Sequence, residues 1–285
     1  KGNDMFKNAH LEDQNALSSR VYDYYNNKKQ DRNLAQATDG YVFHHFGLGP
    51  TKIDTSKATD EEITAEIQRQ EHDQTTRIIE LLEYTDEQSS TLDIGCGRGG
   101  VMFRIADQYK DAKLDGINLT HYQTDYTNDE IKKRGLEDRA EVKQANFLSM
   151  PYPDESFTHE YCSEVTQYTL DLTVLFKEVS RTLKPNGKFV IATWCYAHDR
   201  ADEALKEVIE PINDHYASTM HSDKTYRDAL DNCNLKLIYE EDRSTDLIPY
   251  WELRNEWSMK SGIEDNFIKG HTEGLLFYKF FVVTK

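Results

Sequence analysis

One stretch limits what this chain can fold into more than any other: Thr91-Leu-Asp-Ile-Gly-Cys-Gly-Arg-Gly-Gly100. An apolar β-type run enters it, four glycines follow, and Val101–Tyr109 leaves with helical spacing. Glycines let the backbone turn tightly and come close to a bound group, because no Cβ stands in the way. The first N–H groups of the following helix have no partner within the helix and can hold a ligand. A strand–turn–helix corner of this kind belongs to an α/β sheet. It serves either as a ligand cradle or as a plain structural corner, and dinucleotide enzymes use a similar G-x-G-x-x-G turn.

The rest of the chain agrees with a sheet. Short β-type runs at Thr91–Ile94, Lys113–Ile117, Ala140–Gln144, Phe157–Cys162 and Gly187–Thr193 alternate with helical patterns at Val101–Tyr109, His121–Arg134 and Leu172–Leu183. That alternation predicts parallel strands joined by helices. Pro185-Asn186-Gly187 is expected to end the third of those helices. Two more helices are expected near Ala201–Asp214 and Asp223–Asp231, then strands at Leu235–Glu240 and Leu275–Thr284. The first 85 residues read differently. Leu17–Tyr25 and Asp60–Tyr84 have helical spacing, and between them Gly40–Gly49 is aromatic, carries paired histidines and is bracketed by glycines. We therefore expect residues 1–85 to form a helical and aromatic cap over the active site, and residues 86–285 to form the main domain.

Composition narrows the partners. Formal charge is −17, from 51 acidic and 34 basic residues, so no basic face is available for a nucleic acid. No apolar run reaches 18 residues, so no membrane-spanning helix is expected. The four cysteines, Cys96, Cys162, Cys195 and Cys233, stand far apart without a C-x-x-C pair, which argues against zinc and disulfides and for a cytoplasmic location. A homo-oligomer stays open.

Two markers make the glycine turn resemble that of S-adenosylmethionine-dependent methyltransferases. In D-x-G-C-G-x-G-G an acid, Asp93, precedes the first glycine and suits the cationic amino-acid end of that cofactor. Further on, Leu183-Lys-Pro-Asn-Gly-Lys-Phe-Val190 resembles the family's turn into its fifth strand. The resemblance implies a Rossmann-like α/β fold with seven strands. The last of them is antiparallel and inserted between the fifth and sixth. Cofactor contacts are then expected from Asp93, Gly95, Cys96, Gly97 and Gly99. The second strand ends in Gly116-Ile-Asn-Leu-Thr-His-Tyr-Gln123, which resembles small-molecule carbon methyltransferases. Asn118, Leu119 and Gln123 are expected at the ribose. Asn146 is placed to meet the adenine amine, and Phe147 to pack on its face.

The fourth strand ends at Glu164. Ligands of open α/β sheets lie beyond the carboxyl ends of the strands, so Glu164 should face the transferred methyl group. Four segments together resemble the geranyl diphosphate C-methyltransferases: Asp39–Gly49, Ser163–Tyr168, Asp214–Ser222 and Pro249–Arg254. The resemblance runs from Tyr22 to Tyr278. It implies methylation of an alkene carbon in a prenyl diphosphate, with geranyl diphosphate first and isopentenyl or farnesyl diphosphate as alternatives. It also puts Glu164 on the family's candidate base. Two departures are visible. Tyr216 falls where the geranyl enzymes carry phenylalanine, and Val42 and Phe43 replace a Tyr-His pair.

Such chemistry leaves a tertiary carbocation, which needs π faces and then a base. Phe46, Tyr168, Trp194, Tyr216 and Trp251 are the aromatic candidates, with core packing as the alternative for each. His45 and Tyr168 are further proton-handling candidates. Arg181, Arg254 and His44 are candidates for the diphosphate. No side-chain cluster has metal-ligand spacing, so Mg²⁺ is expected to arrive with the diphosphate rather than at a protein site. Three other readings remain: a glycine- or sarcosine-type N-methyltransferase, a lipid cyclopropane synthase, and a non-catalytic cofactor-binding subunit.

Overall fold

The β-type runs pair into one sheet because each alternates residues toward two separate apolar layers. A computed structural model describes residues 14–26, 32–85 and 88–285. In chain order, three helices come first: α1 (Gln14–Asn26), α2 (Arg32–Gln36) and α3 (Asp60–Leu82). Then follow β1 (Ser90–Ile94), α4 (Gly100–Gln108), β2 (Lys113–Asn118), α5 (His121–Lys133), β3 (Ala140–Gln144) and β4 (Phe157–Ser163). Next are α6 (Leu172–Thr182), β5 (Leu183–Tyr196), α7 (Asp202–Tyr216), α8 (Asp223–Asp231) and β6 (Lys236–Asp242). The chain closes with α9 (Ile248–Glu256), α10 (Glu264–Thr272) and β7 (Leu276–Thr284).

The sheet order is β3-β2-β1-β4-β5-β7-β6. β1 to β5 pair in parallel, and β7 runs antiparallel to both β5 and β6. The expected topology is therefore present. Tyr161, Val190, Trp194, Tyr278 and Phe280 belong to one apolar layer with α3, α4, α7, α9 and α10. Their neighbours Cys162, Ile191, Cys195 and Phe281 belong to the other, with α6 and α8. All four cysteines are buried and unpaired.

Local chemistry sets the element ends. Thr59 and Glu62 cap α3 reciprocally: the Glu62 N–H donates to Thr59 Oγ1, and the Thr59 N–H donates to Glu62 Oε2. α6 stops at Thr182, and β5 begins at Leu183, earlier than expected. Pro185-Asn186-Gly187 does not follow the helix as a free turn. It forms an irregularity inside β5, where Asn186 has φ 62° and the pairing with β4 shifts register after Phe157. α2, α9 and α10 are additions to the sequence expectation. No described helix is long and apolar enough to cross a membrane.

Because β1 leads to β2 on one side and β4 lies on the other, a crevice opens at the carboxyl ends of β1 and β4. Two stretches of the first 85 residues lie close to it. α1 docks on the turn after β4: Gln14 Nε2 donates to the Tyr168 carbonyl, and the Leu170 N–H donates to Gln14 Oε1. The 40–49 loop is extended and buries Val42, Phe43, Phe46 and Leu48. The expected boundary at 85/86 abuts residues 86 and 87, which lie outside the described residues.

Candidate active site

At the end of β1 the chain takes left-handed conformations at Gly95 (φ 76°), Gly97 (φ 54°) and Gly99 (φ 78°). A Cβ on Gly97 would stand 2.8 Å from His44 Cδ2, and one on Gly95 would stand 2.4 Å from Val165 Cγ1. Only glycine allows both the backbone angles and the close approach. Asn118, at the end of β2, clamps this turn. Its Oδ1 accepts from the Gly97 N–H at 2.8 Å, and its Nδ2 donates to the Gly97 carbonyl at 2.8 Å.

A cavity opens beside the turn. Gly95, Gly97, Asn118, Leu119, Gln123, Asn146 and Phe147 line it, seven of the expected cofactor residues. Asn146 Oδ1 also accepts from the Leu148 N–H at 2.9 Å, which fixes its amide. Asp93 and Cys96 do not border this space. They line a smaller cavity of about 280 Å³ on the other side of Gly95, together with His44, His45 and Ser163. Burial pushes the Asp93 carboxyl up to about 7, against the pull of the Tyr161 hydroxyl that donates to it at 2.6 Å. Gly99 caps α4 and borders neither cavity.

A second cavity of similar size lies on the far side of Glu164. Tyr25, His44, Glu164 and Tyr168 line both large cavities and so form their common wall. Glu164 is 6% exposed, with a left-handed φ of 56°. Its Oε1 accepts from the Phe46 N–H at 2.8 Å and from the Tyr278 hydroxyl at 2.8 Å. Burial pushes its carboxyl up to about 8, and nearby Glu71 adds to the rise, while the two hydrogen bonds oppose it.

Aromatic rings crowd this second cavity. Phe46 sits 4.6 Å from Trp194 and 4.5 Å from Trp251, centroid to centroid. Tyr216 lies 4.9 Å from Trp194. Trp251 stacks on Phe267 at 4.1 Å, and Phe267 on Trp194 at 5.1 Å. Phe46, Tyr168, Trp194 and Tyr216 line the space, whereas Trp251 stands behind it.

Arg254, from α9, lines the same cavity and is buried. Its Nη1 donates to the Tyr250 hydroxyl at 3.3 Å, and Tyr250 donates to Glu71 Oε1 at 3.1 Å. Among the described residues its Nε has no hydrogen-bond partner, and it stays 3.8 Å from Glu264 Oε1. A guanidinium whose fork is mostly unmatched is suited to an anion. Arg181 is different. Its guanidinium holds the carbonyls of Met150 and Tyr152 and the carboxylates of Asp154 and Glu178, and it lines neither large cavity. It ties a loop to the last turn of α6, so the expectation that it meets the diphosphate is corrected.

His45 also departs from expectation. Phe46's carbonyl can only accept, so Nδ1 donates to it at 2.9 Å, and Nε2 takes the Thr75 hydroxyl at 2.9 Å. Burial lowers its pKa to about 4. It is a neutral imidazole with both nitrogens occupied, so it is corrected from a proton-handling to a supporting residue. His44 Nε2 faces Arg98 Nη1 at 3.3 Å.

Several cavity residues were not foreseen. Ser18, Val21 and Tyr25 reach the cofactor cavity from α1, and Tyr24, Arg32, Asn33 and Gln167 line the second one. Tyr278 reaches Glu164 from β7, and Gln74 on α3 reaches Tyr278 and Ser163. A signal for Gln74 did exist. Glu71, Gln74 and Thr75 fall on the helical stripe of Ile63, Ile67 and Ile78, where polar residues need an internal partner.

The family described as "Methyltransferase domain" matches residues 92–191. Geranyl diphosphate 2-C-methyltransferase of Streptomyces coelicolor is 32% identical over 263 residues, covering 90% of this chain and 88% of its own. The enzyme of the same name from Saccharopolyspora erythraea is 30% identical over 284 residues, covering 96% and 97%. The crystal structure of the Streptomyces coelicolor A3(2) geranyl diphosphate C-methyltransferase, in complex with Mg²⁺, geranyl-S-thiolodiphosphate and S-adenosyl-L-homocysteine, matches with a TM-score of 0.88. It is 28% identical and covers 94% of this chain and 97% of that one.

Proposed function

The chain belongs to the geranyl diphosphate 2-C-methyltransferase family, and from that premise we propose how its residues move a methyl group from S-adenosylmethionine to an alkene carbon of geranyl diphosphate. One observation carries the reading: Glu164 stands in the common wall of a glycine-bordered cavity and an aromatic one. The cofactor supplies an electrophilic methyl group on a positively charged sulfur.

The glycine turn, Asn118 and Gln123 support cofactor binding, with Asp93 on the side of its amino-acid end. The small cavity at Asp93 and Ser163 fits that end, and the open backbone at Gly97 fits close approach. Across the wall, the alkene's electron pair would form the new carbon–carbon bond as the methyl–sulfur bond breaks and leaves its pair on the now neutral sulfur, and positive charge would move to a tertiary carbon. Phe46, Trp194 and Tyr216 offer it π faces, each worth about 0.5–2 kcal/mol when desolvated. Glu164 then takes a proton from the neighbouring carbon, and that C–H pair restores a double bond. The carboxyl holds its own proton near neutral pH while the cavities are empty. A nearby positive charge favours the carboxylate.

Arg254, with His44 and Arg32 near it, is the proposed diphosphate socket. Among the described residues no group of three His, Cys, Asp or Glu side chains can hold a metal. The proposed route for Mg²⁺ is entry on the diphosphate oxygens as part of the substrate. The segment up to residue 85 is proposed as the cover of both cavities, which Ser18, Tyr25 and His44 support by lining them.

Glu164→Gln tests the mechanism. The swap keeps shape but removes the basic oxygen, so kcat should fall by ~10²–10⁴. Affinity for S-adenosylhomocysteine should stay within about twofold, because the glycine turn is untouched. A mutant with near-normal kcat would remove Glu164 from the reaction. Mass spectrometry of products from C5, C10 and C15 diphosphates offered together should show the methylated C10 product first.

A further inference from the structure

Hydrogen-bond polarity around Glu164 specifies more than its position. Gln74 is fully buried on α3, and its Nε2 donates to Ser163 Oγ at 3.0 Å and to the Tyr278 hydroxyl at 2.9 Å. An amide nitrogen can only donate, so Tyr278 accepts there, and its single proton must go to Glu164 Oε1. The Phe46 N–H, also a pure donor, points at the same oxygen. Oε1 thus meets two donors, and a proton placed on it would find no acceptor among them. Turning the Gln74 amide over would strand two buried N–H groups. Among the described residues, the present arrangement leaves only its Oε1 without a partner.

We propose that Gln74 and Tyr278 form a positioning pair that confines proton acceptance by Glu164 to Oε2. The inference rests on Glu164 being the base, and neither residue needs to touch the substrate. With Oε1 occupied, the C–H bond of the cation breaks toward one fixed oxygen, its electron pair becomes the alkene bond, and the proton stays on Oε2 until product leaves. One acceptor atom in one place favours removal from one neighbouring carbon, hence a single alkene. Gln74 also bonds Ser163, which lines the cofactor cavity, so one amide ties the base to the cofactor wall. Other titratable groups near Glu164 are Glu71 on α3, Tyr25 on α1, Tyr168 after β4, Tyr216 on α7, Tyr250 on α9 and His44 and His45 in the 40–49 loop.

Tyr278→Phe removes the donor and keeps the ring, and Gln74→Glu puts an acceptor where Tyr278 now finds a donor. Both should move the acid limb of kcat/KM to higher pH by about one to two pH units, because the carboxylate loses a hydrogen bond. Both should lower kcat by roughly tenfold and add a second alkene or an alcohol to the products. S-adenosylhomocysteine affinity should stay within about twofold of the parent. An unmoved acid limb with a single product in either folded variant, beside an inactive Glu164→Gln control, overturns the pair and leaves the base in place. Near-normal turnover in that control overturns the base reading itself. Should Tyr278→Phe melt below assay temperature, Gln74→Glu decides alone.

Discussion

Replacing Arg254 separates an anion socket from a structural ion pair, because the two predict opposite changes in the free protein. The guanidinium is buried, its described hydrogen bond is a 3.3 Å contact with neutral Tyr250, and its nearest carboxylate is 3.8 Å away. Glu264 does not depend on it. Glu264 already accepts from the Ser261 N–H, the Ser261 hydroxyl and the Gly262 N–H, at 2.7, 2.9 and 2.6 Å. Replacing a weakly paired buried charge with an apolar side chain of similar length removes its desolvation cost, on the order of several kcal/mol, and gives up little pairing energy. For Arg254→Met we therefore expect the melting temperature without ligands to hold or to rise by a few degrees, at about 2–4 °C per kcal/mol. The diphosphate tells the opposite story. Two charge-assisted hydrogen bonds at ~1.5–3 kcal/mol each, partly replaced by water, predict a KM about 100-fold higher with kcat changed much less. Calorimetric melting and initial-rate kinetics on one preparation read both numbers. A melting temperature several degrees lower, with KM unchanged, would show that Arg254 is held for the fold and that the socket lies elsewhere.

Asn118→Ala removes its two bonds to Gly97 and leaves that from the Thr127 hydroxyl, so S-adenosylhomocysteine affinity should fall by about 10- to 100-fold, read by calorimetric titration; a change below twofold would free the turn from its clamp. Acidity should also govern stability. Burial raises Glu71, Glu160 and Glu164 to about 8 and Asp93 to about 7, whereas unfolded carboxyls titrate near 4–4.5. These groups stabilise the fold below the unfolded value, and that contribution is lost as pH rises through about 7–8. Melting temperature should then fall from pH 6 to 8.5, and Glu160→Gln should flatten the slope; an identical slope in that mutant would sink the assignment for Glu160.

The turn and the strands could be read in the sequence because local rules write them. Left-handed backbone at 95, 97 and 99 selects glycine, and continuous burial on both faces selects apolar runs in β1, β4 and β5. α9 and α10 escaped notice for a physical reason. Their main buried rings are Tyr250, Trp251 and Phe267, with Trp257 just past the end of α9, and such large rings need no long stripe to bury area. Arg181 and Arg254 look alike in sequence, each in a helix's last turn, and only the packing of those helices sends one to a loop and the other to a cavity. Tyr278 was least legible of all. Its contact with Glu164 spans 114 residues and its contact with Gln74 spans 204, so both depend on β7 entering beside β5.

That dependence extends to the backbone of Glu164, which carries a cost the side chain does not explain. A left-handed conformation costs a residue with a Cβ roughly 1–2 kcal/mol, and glycine nearly nothing. The turn needs it: the Glu164 N–H still donates to Ala192 on β5, while its carbonyl already accepts from Gln167 Nε2 at 2.6 Å. The chain thus leaves the sheet and enters the next turn within one residue, carrying the carboxyl into the shared wall. A non-glycine residue here trades stability for chemistry. Glu164→Gly and Glu164→Ala lose the same carboxyl and the same two hydrogen bonds, so their difference isolates the backbone. In ordinary helix or strand positions glycine is the less stable of such a pair by about 0.5–1 kcal/mol. At 164 the order should reverse, with the glycine variant equal or more stable by up to about 1 kcal/mol, while both are inactive. Chemical unfolding of the two variants measures this directly. If the alanine protein were the more stable by the usual margin, residue 164 would carry no strain, and glutamate there would cost the fold nothing beyond burying its carboxyl group.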